Sequence, residues 1–218
     1  MIQVPNPMPP HRRPLGRWLL GMIFIIASLA AAAMLVLQHL GSIELPGCGP
    51  QSGCELLAAS RWGNVLGWPV SFLGTAWFAA LLAAWMWTGP AEAISRWWKW
   101  GVRASMAGSV FFLTIMLLER HLCPYCLIVH SGNLAFGGVV ALYPGLPKAP
   151  IGLPLAIGAI VFASITAALS VVQQRVQDEA RTHAEEQFQA ALRRILENAK
   201  VQARLPDSDA GEPGFTGR

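Results

Sequence analysis

Residues 122–142 read LCPYCLIVHSGNLAFGGVVAL. A helix needs about 20 mostly apolar residues to cross a bilayer, and this stretch meets that length without an Asp, Glu, Lys or Arg. It opens on Cys123-Pro124-Tyr125-Cys126. A Cys-x-x-Cys closes a small ring that cycles between dithiol and disulfide. Pro124 suits the first position of a helix, where a missing N–H is no loss. Cys123 then lies at the helix start, where unpaired N–H groups and the helix dipole favour a thiolate. Cys126 falls one turn deeper, toward the hydrocarbon, where an apolar redox partner reaches it and a water-soluble protein does not.

Four further stretches read as spans: Trp18–Leu40, Trp68–Trp87, Ile151–Val172 and the short run Val102–Leu118, which begins beside Arg103. The whole chain of 218 residues is 54% hydrophobic and 13% charged, whereas soluble domains carry roughly 25% charged residues. The expectation is an all-α integral membrane protein. The first run follows Arg12, Arg13 and Arg17 and contains Ala31-Ala32-Ala33. It exceeds the 7–15 apolar residues of a signal-peptide core and reads as an anchor.

The formal charge of +4 is uneven. Residues 1–170 carry nine Lys/Arg and four Asp/Glu, or +5; residues 171–218 carry seven and eight, or −1. The basic excess belongs to the membrane part, so it speaks for topology rather than nucleic-acid binding. With the N-terminus inside, the inner segments hold Arg12, Arg13, Arg17, Arg96, Lys99, Arg103 and Lys148, and the short outer loops hold Arg61 and Arg120. Seven against two favours N-in and C-out. This orientation puts all the cysteines at the oxidising face, although no cysteine entered the count.

The other two cysteines, Cys48 and Cys54, lie in the loop GCGPQSGC with Gly47, Gly49, Pro50 and Gly53. Such a loop is expected to be exposed and mobile, suited to meeting a protein partner. Two sulfur pairs in one small chain suggest a relay: the loop pair exchanges with a soluble dithiol, the deeper pair with a membrane-soluble two-electron acceptor, a class to which quinones belong. Inert structural bridges are the plainer reading, but they rarely use so tight a ring as Cys-Pro-Tyr-Cys. A zinc site is another; its usual spacing is two to four residues, narrower than that of Cys48 and Cys54. The expectation is no metal.

The run Cys54-Glu55-Leu56-Leu57-Ala58-Ala59-Ser60-Arg61-Trp62-Gly63, then Leu66-Gly67-Trp68-Pro69-Val70-Ser71-Phe72-Leu73-Gly74, resembles the vitamin K epoxide reductase family. The order of loop pair first and Cys-x-x-Cys second fits it; the other bacterial quinone-linked thiol oxidase family has the reverse order. The resemblance covers about residues 15–172. It implies a four-helix transmembrane bundle around a quinone, a fifth helix as in bacterial members, and a periplasmic capping half-helix at Cys54–Trp62. It also implies roles. Cys48 meets a thioredoxin-like partner, Cys54 attacks Cys123, and Cys126 is released to reduce ubiquinone or menaquinone. Ser60 matches the family's serine and orients the quinone side, while Trp62 helps close the pocket.

Other residues join the candidate site. His130 is four residues after Cys126, on the same helical face, and suits donation to a quinone carbonyl. Trp77, Phe78 and Phe111 are candidates for the cavity wall. His121, two residues before Cys123, could stabilise a thiolate. Glu119 and Arg120 mark the outer water boundary, and Gly74 and Gly108 are expected to allow close helix approach.

The layout expected is a cytoplasmic segment 1–17, a transmembrane domain 18–172, an amphipathic periplasmic stalk helix 173–205 and a linker 206–218. Apolar residues recur along the stalk at Val172, Val176, Phe188, Leu192 and Ile195. The linker reads as the approach to a fused thioredoxin-like domain, or the partner is a separate protein. The reading is a thiol oxidase of the bacterial inner membrane that passes electrons from such a partner to a quinone, in contact with membrane lipid and not nucleic acid. The rival readings are a reductase of vitamin K epoxide in the same fold, a non-enzymatic scaffold, and a transporter; against the last, the spans hold no buried acid–base pair.

Overall fold

The computed structural model describes residues 13–65, 67–90, 94–146 and 152–202. The expected linker 206–218 and most of the N-terminal segment lie outside these residues. The chain divides into one unit up to Ser170 and a second from Val171.

Among the described residues six helices carry the fold: α1 (Arg13–His39), α2 (Gly53–Ala59), α3 (Val70–Thr88), α4 (Arg96–Leu118), α5 (Pro124–Ala141) and α6 (Gly152–Gln202). All but α2 are long and apolar enough to cross a membrane. The helix starts follow local chemistry. Pro69 precedes α3, and Pro124 opens α5, where a residue without an N–H loses nothing. The third span begins at Arg96, earlier than the expected Val102, because Trp97, Trp98 and Trp100 extend its apolar surface. Among the described residues two minimal strand pairs tie the connections. Asn64–Val65 (β1) lies antiparallel to Trp68–Pro69 (β2), and Ile94–Ser95 (β3) parallel to Gly145–Leu146 (β4).

Helix α1 packs against both α5 and α3, and α4 packs against α5. The core of this bundle is Trp85, fully buried, with Phe136 and Tyr143 edge-on to it at 5.1 and 5.7 Å. Each indole N–H donates to the other residue's carbonyl, Trp18 to Trp85 at 3.2 Å and Trp85 to Trp18 at 3.1 Å. Polar groups buried in an apolar bundle need such partners. At this end Lys99 Nζ donates to the Tyr143 carbonyl and Arg17 to the Leu142 carbonyl, 3.3 Å away.

The close helix approaches occur at other glycines than expected. A Cβ on Gly132 would overlap Ser28 Oγ, one on Gly137 would overlap Met106, and one on Gly21 would come within 3.0 Å of the Trp85 ring. Gly74 and Gly108 have nothing within 4 Å of that position, and both face a cavity. The expectation for these two is corrected. They border the open space between α3 and α4 instead of closing it.

Within the second unit the described chain is the continuation of α6 to Gln202. Its apolar side chains Val176, Phe188, Leu192 and Ile195 are exposed. Among the described residues α6 is helical to Gln202, with these apolar side chains exposed.

Candidate active site

Helix α2 starts on a reciprocal cap. Ser52 Oγ accepts from the Glu55 N–H at 3.4 Å, and the Glu55 carboxylate accepts from the Gln51 N–H at 2.8 Å. The Ser-x-x-Glu spacing that encodes it is visible in the sequence. This cap fixes Cys54 in the first turn, and Gly53 lets α2 lie against the chain before α5. A Cβ there would overlap the Leu122 carbonyl. Cys54 thereby reaches Cys123.

Cys48 and Cys54 are joined in a disulfide, and Cys123 and Cys126 are free. The Sγ atoms of Cys54 and Cys123 are 3.0 Å apart. Cys123 is fully buried and caps α5, its Sγ accepting from the Cys126 N–H at 3.3 Å. Its thiol is held down at about 7, chiefly by the hydrogen bond from the Cys126 side chain and also by the Cys126 and Tyr125 N–H groups, against the upward push of burial. The helix-start argument for a thiolate at Cys123 rests on the same groups. The ring of His121 makes no bond with Cys123 among the described residues, and the backbone N–H of His121 donates to the Met116 carbonyl.

The loop sulfur is not exposed as expected. Gly47, Gly49 and Pro50 are exposed, but Cys48 itself is buried in an apolar cluster with Leu45, Met116 and Cys123. The bridge to Cys54 turns it inward, and Gln38 Nε2 holds its carbonyl at 2.6 Å. The sulfurs of Cys48, Cys54 and Cys123 lie within 4.8 Å of one another. Two of them share a bond and offer no thiolate to a metal; the trio is arranged for exchange.

A cavity of about 1030 Å³ opens beside these sulfurs and runs between α3 and α4. Its wall includes Cys48, Cys54 and Cys126, but not Cys123. Cys123 stands behind the wall as the link between the loop bridge and Cys126. The proposed wall residues divide. Trp62, Trp77, Phe78 and His130 line the cavity. The Arg61 guanidinium lies 4.7 Å over the Trp62 indole. Ser60 is not on the wall: its Oγ donates to the Leu57 carbonyl at 2.7 Å and accepts from the Trp62 N–H at 3.2 Å, closing the end of α2. Phe111 is not on the wall either. The helical turn exposes it and brings Phe112 to the cavity, where Phe112 stacks on His130 at 5.4 Å. Phe111 packs on the wall residue Trp62, edge-on at 5.6 Å.

Sequence reasoning missed Asn133, Ser105 and Ser109. All three line the cavity and are hydrogen-bonded to one another across α4 and α5. The available signal was polarity inside apolar spans, where such residues are costly and carry a role.

The arrangement is that of a multi-pass membrane oxidoreductase with a cysteine redox centre, a disulfide within bonding reach of a second thiol pair that opens on an apolar pocket. The sequence model of the Vitamin K epoxide reductase family matches residues 18–141, and the chain belongs to that family. Family membership carries oxidoreductase activity that links disulfide chemistry to quinone-type substrates. The pocket suits such a group. It is mostly apolar, with a few polar groups from α3, α4 and α5 on its wall, the composition typical of small-molecule sites.

Proposed function

We propose that the protein is a thiol oxidase of the bacterial inner membrane, its sulfurs on the periplasmic side, that drives disulfide formation in exported proteins. A thioredoxin-like partner, free or fused, delivers two electrons to the Cys48–Cys54 bridge. The partner's thiolate attacks Cys48 and its second thiol resolves the mixed disulfide, leaving the partner oxidised and Cys48 and Cys54 reduced. Because Cys48 is buried, that attack requires the Gly47–Pro50 loop to swing outward. Cys54 then attacks Cys123 of a Cys123–Cys126 disulfide, and Cys126 leaves as thiolate. Cys48 attacks Cys54, restoring the loop bridge and freeing Cys123.

The sulfur pairing in the structure corresponds to the state after this step, with the loop bridge closed and the inner pair reduced. A quinone in the pocket takes the two electrons and two protons as Cys123 and Cys126 rejoin. Trp62, Trp77 and His130 on the wall support binding of its ring. Ser60 acts on the pocket through the backbone of Trp62, and Phe111 through the Trp62 ring.

The observation that carries this reading is that Cys126 lines the cavity while Cys123 bridges to Cys54 behind it. The test follows quinone absorbance on addition of a reduced thioredoxin-like donor to the purified protein. Turnover is expected in the native protein and absent in Cys126→Ala. Retained turnover in that variant sinks the inner-pair assignment. Vitamin K epoxide reduction uses the same sulfurs in the same fold, with electrons running the same way, and comparing turnover with a quinone and with the epoxide as acceptor separates the two activities.

A further inference from the structure

Five polar side chains form one continuous hydrogen-bonded series along the cavity wall: Trp77 on α3, Ser105 and Ser109 on α4, Asn133 and His130 on α5. Trp77 Nε1 donates to Ser105 Oγ at 3.1 Å. Ser105 Oγ donates to Asn133 Oδ1 at 3.1 Å. Asn133 Nδ2 donates to the Ser105 carbonyl at 3.0 Å and to Ser109 Oγ at 2.8 Å, and lies 2.9 Å from Ser105 Oγ. Ser109 Oγ lies 3.2 Å from His130 Nδ1. Asn133 and Ser109 are buried.

One assignment of directions gives every hydroxyl and amide proton in this series an acceptor within it. A backbone carbonyl can only accept, so the amide atom facing the Ser105 carbonyl is the nitrogen. That nitrogen also faces Ser109, so Ser109 Oγ accepts there and has its one proton left to give. Within the series the acceptor for that proton is His130 Nδ1, 3.2 Å away. The far end agrees: an indole N–H can only donate, so Ser105 Oγ accepts from Trp77 and its proton goes to Asn133 Oδ1. With Nδ1 accepting, a neutral His130 carries its proton on Nε2. His130 lies on the cavity wall with its ring face stacked on Phe112, and its Nε2 has no protein partner among the described residues.

From this geometry we infer that Asn133 and Ser109, anchored by Ser105 and Trp77, are positioning residues that select the Nε2–H tautomer of His130. The pocket is thereby set to offer a hydrogen-bond donor, suited to a carbonyl oxygen of a quinone ring. The opposite tautomer would present a bare nitrogen, which repels a carbonyl. The inference rests on the quinone reading for its ligand but not for the tautomer itself.

Two measurements test it. In protein labelled with ¹⁵N in the imidazoles, with the His130 signals assigned by their loss in His130→Gln, Nδ1 is expected in the unprotonated range and Nε2 in the protonated range. Ser109→Ala removes the donor to Nδ1 and should leave mixed tautomers. Ser109→Thr keeps the hydroxyl and should restore the native signal, which separates loss of the bond from damage to the fold. In steady-state assays with a soluble quinone analogue, Ser109→Ala should raise KM about three- to tenfold, the effect of one net hydrogen bond, with kcat changed less than about twofold.

A protonated Nδ1 in the native protein overturns the tautomer assignment. A native tautomer distribution or an unchanged KM in Ser109→Ala overturns the positioning role. Absence of quinone turnover in the native protein, with the Nε2–H tautomer present, overturns the quinone reading and the ligand named here, and leaves the tautomer selection standing.

Discussion

Cys123 Sγ lies 3.0 Å from Cys54 Sγ, and no part of Cys123 lies on the cavity wall that holds Cys126. One sulfur thus belongs to two exchange partners and to neither surface. Thiol–disulfide exchange needs the attacking sulfur close to the attacked one, and this placement meets the need without rearrangement of the bundle.

The contact predicts a trap. With Cys48 and Cys126 both replaced by Ala, neither resolving thiol remains, and mild oxidation should join Cys54 to Cys123. Peptide mass analysis under non-reducing conditions should find that bridge in most molecules. Its absence would mean that the two sulfurs do not meet in the membrane-embedded protein.

The pH dependence follows from the hydrogen bond that holds the Cys123 thiol down at about 7. The attacking species is the thiolate. Single-turnover exchange from Cys123 onto the loop bridge should therefore fall about tenfold per pH unit below 7 and level off above it. In Cys126→Ala the main stabilising bond is gone while burial still opposes the charge. The profile should move to higher pH, read by quenching with acid and weighing the linked peptides. A profile that stays in place would assign the low value to the helix start and its N–H groups instead.

Gly53 is the point where α2 meets the approach to α5. A Cβ there would overlap the Leu122 carbonyl, so Gly53→Ala must push Cys54 away from Cys123. A displacement of about 1 Å at a reacting pair costs on the order of a hundredfold in rate. Exchange between the pairs should fall by that order while the Cys48–Cys54 bridge still forms. Equal rates in the variant and the native protein would show that α2 is not held against α5.

Much of this was legible in the sequence. The spans were, because a bilayer sets both their length and their composition. So was the pairing of Cys123 with a helix start, because proline tolerates few other places. What was not legible depends on which neighbour each side chain meets. Phe111 and Phe112 are adjacent and chemically identical, and the packing of α4 on α5 decides which of them faces the cavity. Cys48 sits among glycines, a composition that signals exposure, but a bond to Cys54 draws the sulfur inward. Ser60 matched a pattern by position, yet the Leu57 carbonyl, which also accepts the Ser60 backbone N–H, claimed its hydroxyl.

The glycines give the last prediction. Gly108 and Gly132 both sit in membrane helices, and sequence offers no ground for treating them differently. Gly108 borders the cavity with nothing within 4 Å of its Cβ position, whereas at Gly132 the Cβ would overlap Ser28 Oγ and come within 3.2 Å of the Phe24 carbonyl. Gly132→Ala should force α1 and α5 apart and destabilise the bundle by about 1–3 kcal/mol, the usual cost of overpacking. Gly108→Leu should leave stability unchanged and fill part of the cavity, so that KM for a quinone rises while exchange among the four sulfurs proceeds normally. Thermal unfolding in detergent and steady-state kinetics on the two variants make the comparison. If Gly108→Leu unfolds the protein and Gly132→Ala does not, the gap between α3 and α4 is closed in the membrane and the cavity is not the site of the acceptor.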